Sequence, residues 1–333
     1  MGDVFKAISG GLARFVFAWM LPTLIAGGLF WVFVLPGISH DWLMRPVTSV
    51  GTGSAITAGI LFSFCVLAVS SIFAYAAMPI YQVLEGYRFP KWLQRARRRH
   101  HLREFERLRC IERRFRVTNQ LPPGITTDDL VKRYPRDAAS VRSTLLGNAL
   151  TSMEHWSSTR YQLDSQTMWH ELLAVSSDNV RRDVDEGRAP VDFYVSAVAN
   201  MTVLAVTALV VGVVTPQHQA IVIGVLAAFT VPYSYRSAVR NTVDWAQSVK
   251  AMVNVGRHDL ARAMGLQIPQ GLKNERDMWS AHMHVVELAN DAYIESYNSF
   301  RVRPADEQSS EPAQPVGLLR RIFSLRREPL DVQ

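Results

Sequence analysis

The sequence predicts an all-α integral membrane protein, with four transmembrane helices in two hairpins and a helical cytosolic domain. Three observations predict it. Charge is segregated along the chain, four uncharged runs reach spanning length, and Lys and Arg crowd the flanks of those runs on one side only. The averages hide this: 333 residues, 48% hydrophobic and a formal net charge of +7 would suit a soluble protein of two domains. A chain whose apolar and charged residues are kept apart is instead polytopic, with a part in water.

A bilayer core about 30 Å thick takes about 20 apolar helical residues. After a cytosolic N-terminus, residues 1–14, the first predicted span covers 15–36 and the second 55–84. The stretch from Phe193 to Tyr235 is too long for one span. Thr215-Pro216-Gln217-His218-Gln219 breaks it, since proline beside a polar cluster favours a tight turn. That leaves spans at 192–214 and 220–236. A cleaved signal peptide is the competing reading of the first run. Its apolar core is longer than the usual 7–15 residues, and no small-x-small cleavage site follows.

Orientation follows from the basic flanks. The first intervening loop holds only Arg45, and the turn near Pro216 holds none. The other flanks carry Arg14, Arg88 to Arg99, Arg181, Arg182, Arg188, Arg236 and Arg240. Both termini and the segment 85–190 are therefore expected in the cytoplasm. No Asp, Glu, Lys or Arg lies mid-span, and Asn200 is the most polar side chain well inside. That argues against an ion-driven carrier. Small residues four apart, such as Gly59 with Ser63 and Ala208 with Gly212, fit internal packing or a homo-oligomer interface. Cys65 and Cys110 fall in different environments, so no disulfide is expected between them.

From Arg88 to Arg116 twelve Lys/Arg face three acids. Leu102, Phe105, Leu108, Ile111 and Phe115 recur at helical spacing, which predicts a basic amphipathic helix continuing from the second span. Three readings stay open: contact of Arg95, Arg97, Arg98 and Arg99 with anionic lipid headgroups, an oligomer-forming helix, or nucleic-acid binding. The last is disfavoured, because nearness to a membrane already accounts for the charge. Further on, helices are expected from about Ala138 to Tyr161, around Trp169, from Tyr235 to about Met264, and from Glu275 to Phe300. The region 237–300 is expected to pack on the middle segment. Residues 301–333 read as a disordered linker and a basic amphipathic tail.

Chemistry is sparse. There is no Gly-rich phosphate loop, no G-x-S-x-G and no paired-Cys metal site. The pairs His100-His101 and His282 with His284 lack metal-ligand spacing. No nucleophile is matched with a base, so neither an enzyme nor a cofactor is expected.

One pattern stands out: Tyr134-Pro135, Leu146-Gly147-Asn148, Glu154, Arg160-Tyr161, Leu163-Asp164 and Trp169. It resembles a family of uncharacterised multi-pass membrane proteins common in actinobacteria. There, a Tyr-Pro turn precedes Thr-Arg-Leu-Gly-Asn, an acidic residue, Arg-Tyr-Gly-Leu-Asp and Trp-Pro. This chain departs from it at Leu145, Gln162 and His170. The resemblance implies flanking transmembrane hairpins and a bacterial plasma membrane, and it implies no activity. Read physically, Asn148, Glu154, Arg160 and Asp164 are candidates for a local polar network that fixes the Tyr161 and Trp169 helices against the helix after the fourth span. The expected role is assembly or signal coupling at the membrane. An oligomeric channel and an anionic-lipid scaffold are the alternatives.

Overall fold

A computed structural model describes residues 11–38, 52–123 and 133–302. The loop with Arg45, the Asp128-Asp129 pair, most of the segment 1–14 and nearly all of 301–333 lie outside these residues. Among the described residues the protein is helical throughout, and the only extended pairing is an isolated bridge between Leu266 and Arg301. Four helices are long and apolar enough to cross a membrane: α1 (Gly11–Ile38), α2 (Thr52–Tyr75, of which Ile56–Tyr75 is the candidate span), α7 (Asp178–Val214) and α8 (His218–Ala263). Between α2 and α7 lie α3 (Ala77–Leu84), α4 (Lys91–Thr118), α5 (Leu145–Tyr161) and α6 (Trp169–Val175).

Proline sets several boundaries. In α1, π-helical turns at Val16–Met20 and Phe30–Val34 each end two residues before a proline, Pro22 and Pro36. A proline cannot donate to the carbonyl four residues back, and the widened turn absorbs the mismatch. The expected second span, 55–84, is divided at Ala76 into α2 and α3. Pro79 is the cause, since its ring crowds the Tyr75 carbonyl. The basic helix does not continue from α3: Gly86 turns the chain at φ +87° and Pro90 precedes a fresh start at Lys91. α7 begins at Asp178, well before the expected 192, and runs through Pro190 without a break.

The chain forms two compact units, Met1–Arg257 and His258–Gln333. The first holds the apolar bundle. Ala26 and Val34 of α1 pack with Leu204, Ala205 and Ala208 of α7 and Ala227 of α8. α7 and α8 approach to backbone distance: a Cβ on Gly212 would lie 2.9 Å from the Ile221 nitrogen, and one on Gly224 would lie 3.0 Å from the Leu209 nitrogen. These pairings run in opposite directions along the two helices. In α2, Val66 and Ser70 are buried while Ile60, Leu61, Phe64 and Ile72 face outward. Buried and exposed hydroxyls in the bundle, including Thr23, Ser63, Ser70, Ser71 and Thr202, donate to carbonyls four residues earlier. Each is satisfied within its own helix.

α5 starts at Leu145, not near Ala138. Thr144 is extended and its hydroxyl accepts from the Gly147 N–H at 3.1 Å, which caps the helix. Only a 3₁₀ turn, Ala138–Ser140, lies upstream. The part of α8 up to Arg257 packs on α5: the Tyr161 hydroxyl donates to Asn254 Oδ1 at 2.7 Å, and Lys250 lies over the Trp156 ring.

In the second unit, α9 (Leu272–His282) buries Met278 and Trp279. The single helix expected to Phe300 is broken. After a π turn at Met283–Glu287, Ala289 takes φ +46° and Asn290 caps the next 3₁₀ turn. α10 (Ile294–Ser299) follows, and its end returns to bond Gln267 to the Phe300 carbonyl at 2.8 Å.

Candidate functional site: a polar junction below the apolar bundle

Asp192 is the most consequential polar residue of the first unit. It sits one turn into the apolar part of α7, and only 3% of it is exposed. Arg14, near the start of α1, donates to its Oδ2 from Nη2 at 2.5 Å and from Nε at 3.2 Å. The Tyr81 hydroxyl of α3 donates to Oδ1 at 2.7 Å. Arg188, one turn earlier, places its Nε 3.6 Å from Oδ2. One carboxylate thus joins three helices that are far apart in sequence. A buried carboxylate with both oxygens engaged and a cation beside it is tolerated where a lone one would not be.

A second contact lies beyond α3. The turn Glu85-Gly86-Tyr87 seats against the start of α5. Gly86 has positive φ, and a Cβ there would overlap the Ser143 hydroxyl and lie 2.9 Å from Thr144 Cγ2. A Cβ on Gly147 would lie 2.7 Å from the Glu85 carbonyl oxygen. Asn148, fully buried, then holds the approach: Oδ1 accepts from the Arg142 N–H at 2.7 Å, and Nδ2 donates to the carbonyls of Arg142 (3.1 Å) and Thr144 (2.7 Å). The Leu146-Gly147-Asn148 pattern therefore has a local meaning. Gly147 admits another backbone and Asn148 replaces the hydrogen bonds that the 142–144 segment cannot make in a helix.

Arg142 lies at the centre of this contact. Its guanidinium stacks 4.8 Å over the Tyr87 ring, and its Nε reaches Thr151 at 3.4 Å. Burial, then the neighbouring Glu154, pushes the Glu85 carboxyl up to about 7, although Arg142 acts the other way. Burial also raises Glu154, with His155 and Arg142 opposing it. A cavity of about 280 Å³ opens beside these groups, bordered by Glu85, Tyr87, Arg95, Arg98 and Arg142.

The basic helix α4 has a dry face. His101, Phe105 and Leu108 are buried with Tyr134 and Val141. His101 Nδ1 lies 2.9 Å from the Tyr134 hydroxyl. Burial, then His100 and Arg97, lowers the His101 pKa to about 4, so the ring is neutral at neutral pH. The Tyr134-Pro135 turn thus docks on α4, and Arg109 donates to the Pro135 carbonyl at 3.3 Å.

The four residues expected to form one network do not do so. Among the described residues no ion pair joins Arg160 to Glu154 or Asp164, and Arg160 is exposed. Asp164 caps its own turn, accepting from the N–H groups of Gln166 (2.8 Å) and Thr167 (3.4 Å). Glu154 shares its surroundings with Glu85 and Arg142, and the Asp164 charge acts on it as a repulsion and not as a pairing. Tyr161 itself fixes α5 on α8. Of the arginines grouped as headgroup contacts, Arg98 is spent on backbone, donating to the carbonyls of Val141 (2.9 Å) and Ala139 (2.9 Å). Arg95, Arg97 and Arg99 are exposed. Sequence reading missed Asp192, Arg14, Tyr81 and Glu85 as partners. A lone acid at the edge of an uncharged run was the available signal for Asp192.

Comparison of the chain with protein-family models, with curated proteins and with solved structures finds no match.

Two expectations follow from this geometry. Asn148→Ala removes three hydrogen bonds and leaves buried backbone groups unpaired, which costs about 2 kcal/mol. Asp164→Ala removes only a turn cap and costs about 1 kcal/mol or less. Thermal unfolding of the two variants side by side checks the order. The second expectation concerns pH. Glu85 titrates higher folded than unfolded, so its contribution is fully present below the unfolded value near 4.5 and is lost as pH rises through about 7. His101 titrates lower folded, so its contribution is present above about 6.5 and is lost as pH falls toward about 4. Glu85→Gln is expected to flatten the decline in stability between pH 5 and 8 and to leave the acid limb unchanged. Melting curves over that range decide it.

Proposed function

We propose that this is a multi-pass protein of a bacterial plasma membrane, with four spans in two hairpins and with both termini and the helical part in the cytoplasm. The outward-facing side chains support the membrane placement. Val32, Phe64, Ile72, Val206, Val213, Phe229 and Tyr233 are each more than half exposed on the four apolar helices. Water would penalise such a surface and hydrocarbon would not. The resemblance to actinobacterial membrane proteins points the same way.

The role proposed is non-enzymatic coupling between the membrane bundle and the cytosolic helices. One observation carries it: Asp192 ties α1, α3 and α7 together at the point where α7 passes from polar to apolar sequence. The turn after α3 then seats directly on α5. A shift among the spans therefore has a short, packed route to the cytosolic part. The test perturbs the spans alone. In nanodiscs of short-chain and long-chain lipid, hydrogen exchange at residues 145–161 is expected to differ about threefold or more in the wild type. Asp192→Asn is expected to abolish the difference. Exchange indifferent to bilayer thickness in the wild type would sink the coupling.

A second reading is contact with anionic lipid. The exposure of Arg95, Arg97 and Arg99 on α4 supports it. Salt-sensitive enrichment of anionic lipid around the purified protein, lost on triple substitution of these arginines to Gln, is its expected result.

A further inference from the structure

A crevice of about 570 Å³ opens between α1, α2 and α7, within the size range of small-molecule sites (about 300–1,000 Å³). Its walls are hydrocarbon and aromatic, with Phe30, Trp31, Phe62, Val66 and Leu204 among them. Asn200 also lines it and is only 4% exposed. The Asn200 Nδ2 donates to the Ser196 carbonyl at 3.0 Å and to the Ser196 hydroxyl at 3.2 Å. This fixes the amide orientation, because a carbonyl can only accept and the nitrogen must face it. Oδ1 points the other way and takes no hydrogen bond among the described residues.

An amide oxygen set among apolar walls without a donor costs free energy that a ligand hydroxyl would recover. Asn200 lies eight residues beyond Asp192, about 12 Å along the helix. At that depth a charged headgroup is excluded by its desolvation cost. The occupant must therefore be apolar along its length and bring one uncharged donor. We infer that the crevice binds a long-chain lipid alcohol, a hydrocarbon chain ending in a hydroxyl that donates to Asn200 Oδ1. This rests on the membrane placement proposed above.

The test uses the full chain in nanodiscs, with a photoactivatable hexadecanol and its methyl ether as probes. The two have nearly the same chain, and only the alcohol can donate. The alcohol is expected to label peptides carrying Phe62 or Val66 about tenfold more than the ether, the size of one hydrogen bond. Asn200→Leu, alike in branching and without the acceptor, is expected to remove that preference. Equal labelling by both probes in the wild type overturns the site, since the crevice then holds any acyl chain. A preference that survives Asn200→Leu overturns the role of Asn200. The wild-type comparison stands even where the variant does not fold. Release of the protein from membranes by alkaline carbonate would instead overturn the membrane placement.

Discussion

Asp192→Ala is expected to be the most damaging single substitution in the apolar bundle. The change leaves the Arg14 guanidinium and the Tyr81 hydroxyl without their shared acceptor, in a site where the Asp192 side chain is 4% exposed and that of Arg14 is 29% exposed. Removing one partner of such a pair costs about 3–5 kcal/mol, because the remaining charge stays desolvated. For a unit of this size the melting temperature should fall by roughly 10 °C. The pair is not expected to be worth that much against an apolar replacement. Two buried charges pay heavily for leaving water, and apolar residues of similar volume often match them. The triple variant Arg14→Met, Tyr81→Phe and Asp192→Leu should therefore recover most of the loss. Thermal denaturation in nanodiscs measures both. An Asp192→Ala protein that melts within a degree or two of the wild type would remove the junction from consideration.

Gly86→Ala is the second large effect. Alanine at φ +87° costs about 1–2 kcal/mol in backbone strain alone. The added methyl also meets Ser143 and Thr144, and overpacking of this kind adds about 1–3 kcal/mol. The neighbouring Gly147→Ala has ordinary helical backbone, so its penalty comes from close contacts alone: the Glu85 carbonyl 2.7 Å from the new Cβ, then Thr144 Oγ1 at 3.0 Å and Arg142 Cβ at 3.2 Å. The two should therefore respond differently to a second change. Ser143→Gly opens space beside Gly86 and should relieve part of the Gly86→Ala defect while leaving Gly147→Ala unimproved. Melting temperatures of the four variants test this. Full tolerance of Gly86→Ala would show that the turn does not seat on α5 as described.

Both effects belong to contacts that local sequence does not record. Arg14 and Asp192 are 178 residues apart, and Tyr81 and Asp192 are 111 apart. Nothing in the spacing of either residue names the other. The expected network of Asn148, Glu154, Arg160 and Asp164 shows the same limit from the other side. The four are close in sequence and mixed in charge, which made pairing among them plausible. The fold turned Arg160 to solvent, gave Asp164 to its own turn and set Glu154 near Glu85. Asn148 and the Tyr134-Pro135 turn were recognisable as a pattern, but their purpose depended on which backbone arrived beside them.

The sequence by itself determined what depends on neighbours along the chain. Uncharged runs of spanning length produced four long apolar helices, and the Pro216 turn separated the last two. Hydropathy is a sum over adjacent residues, and turn chemistry acts over a few of them, so both are written locally. Tertiary structure alone decided where α7 begins, where the basic helix separates from α3, and which carboxylates are buried. It also chose the partners of Asp192. These outcomes depend on desolvation and on close approach between distant segments, and those quantities exist only once the helices have packed.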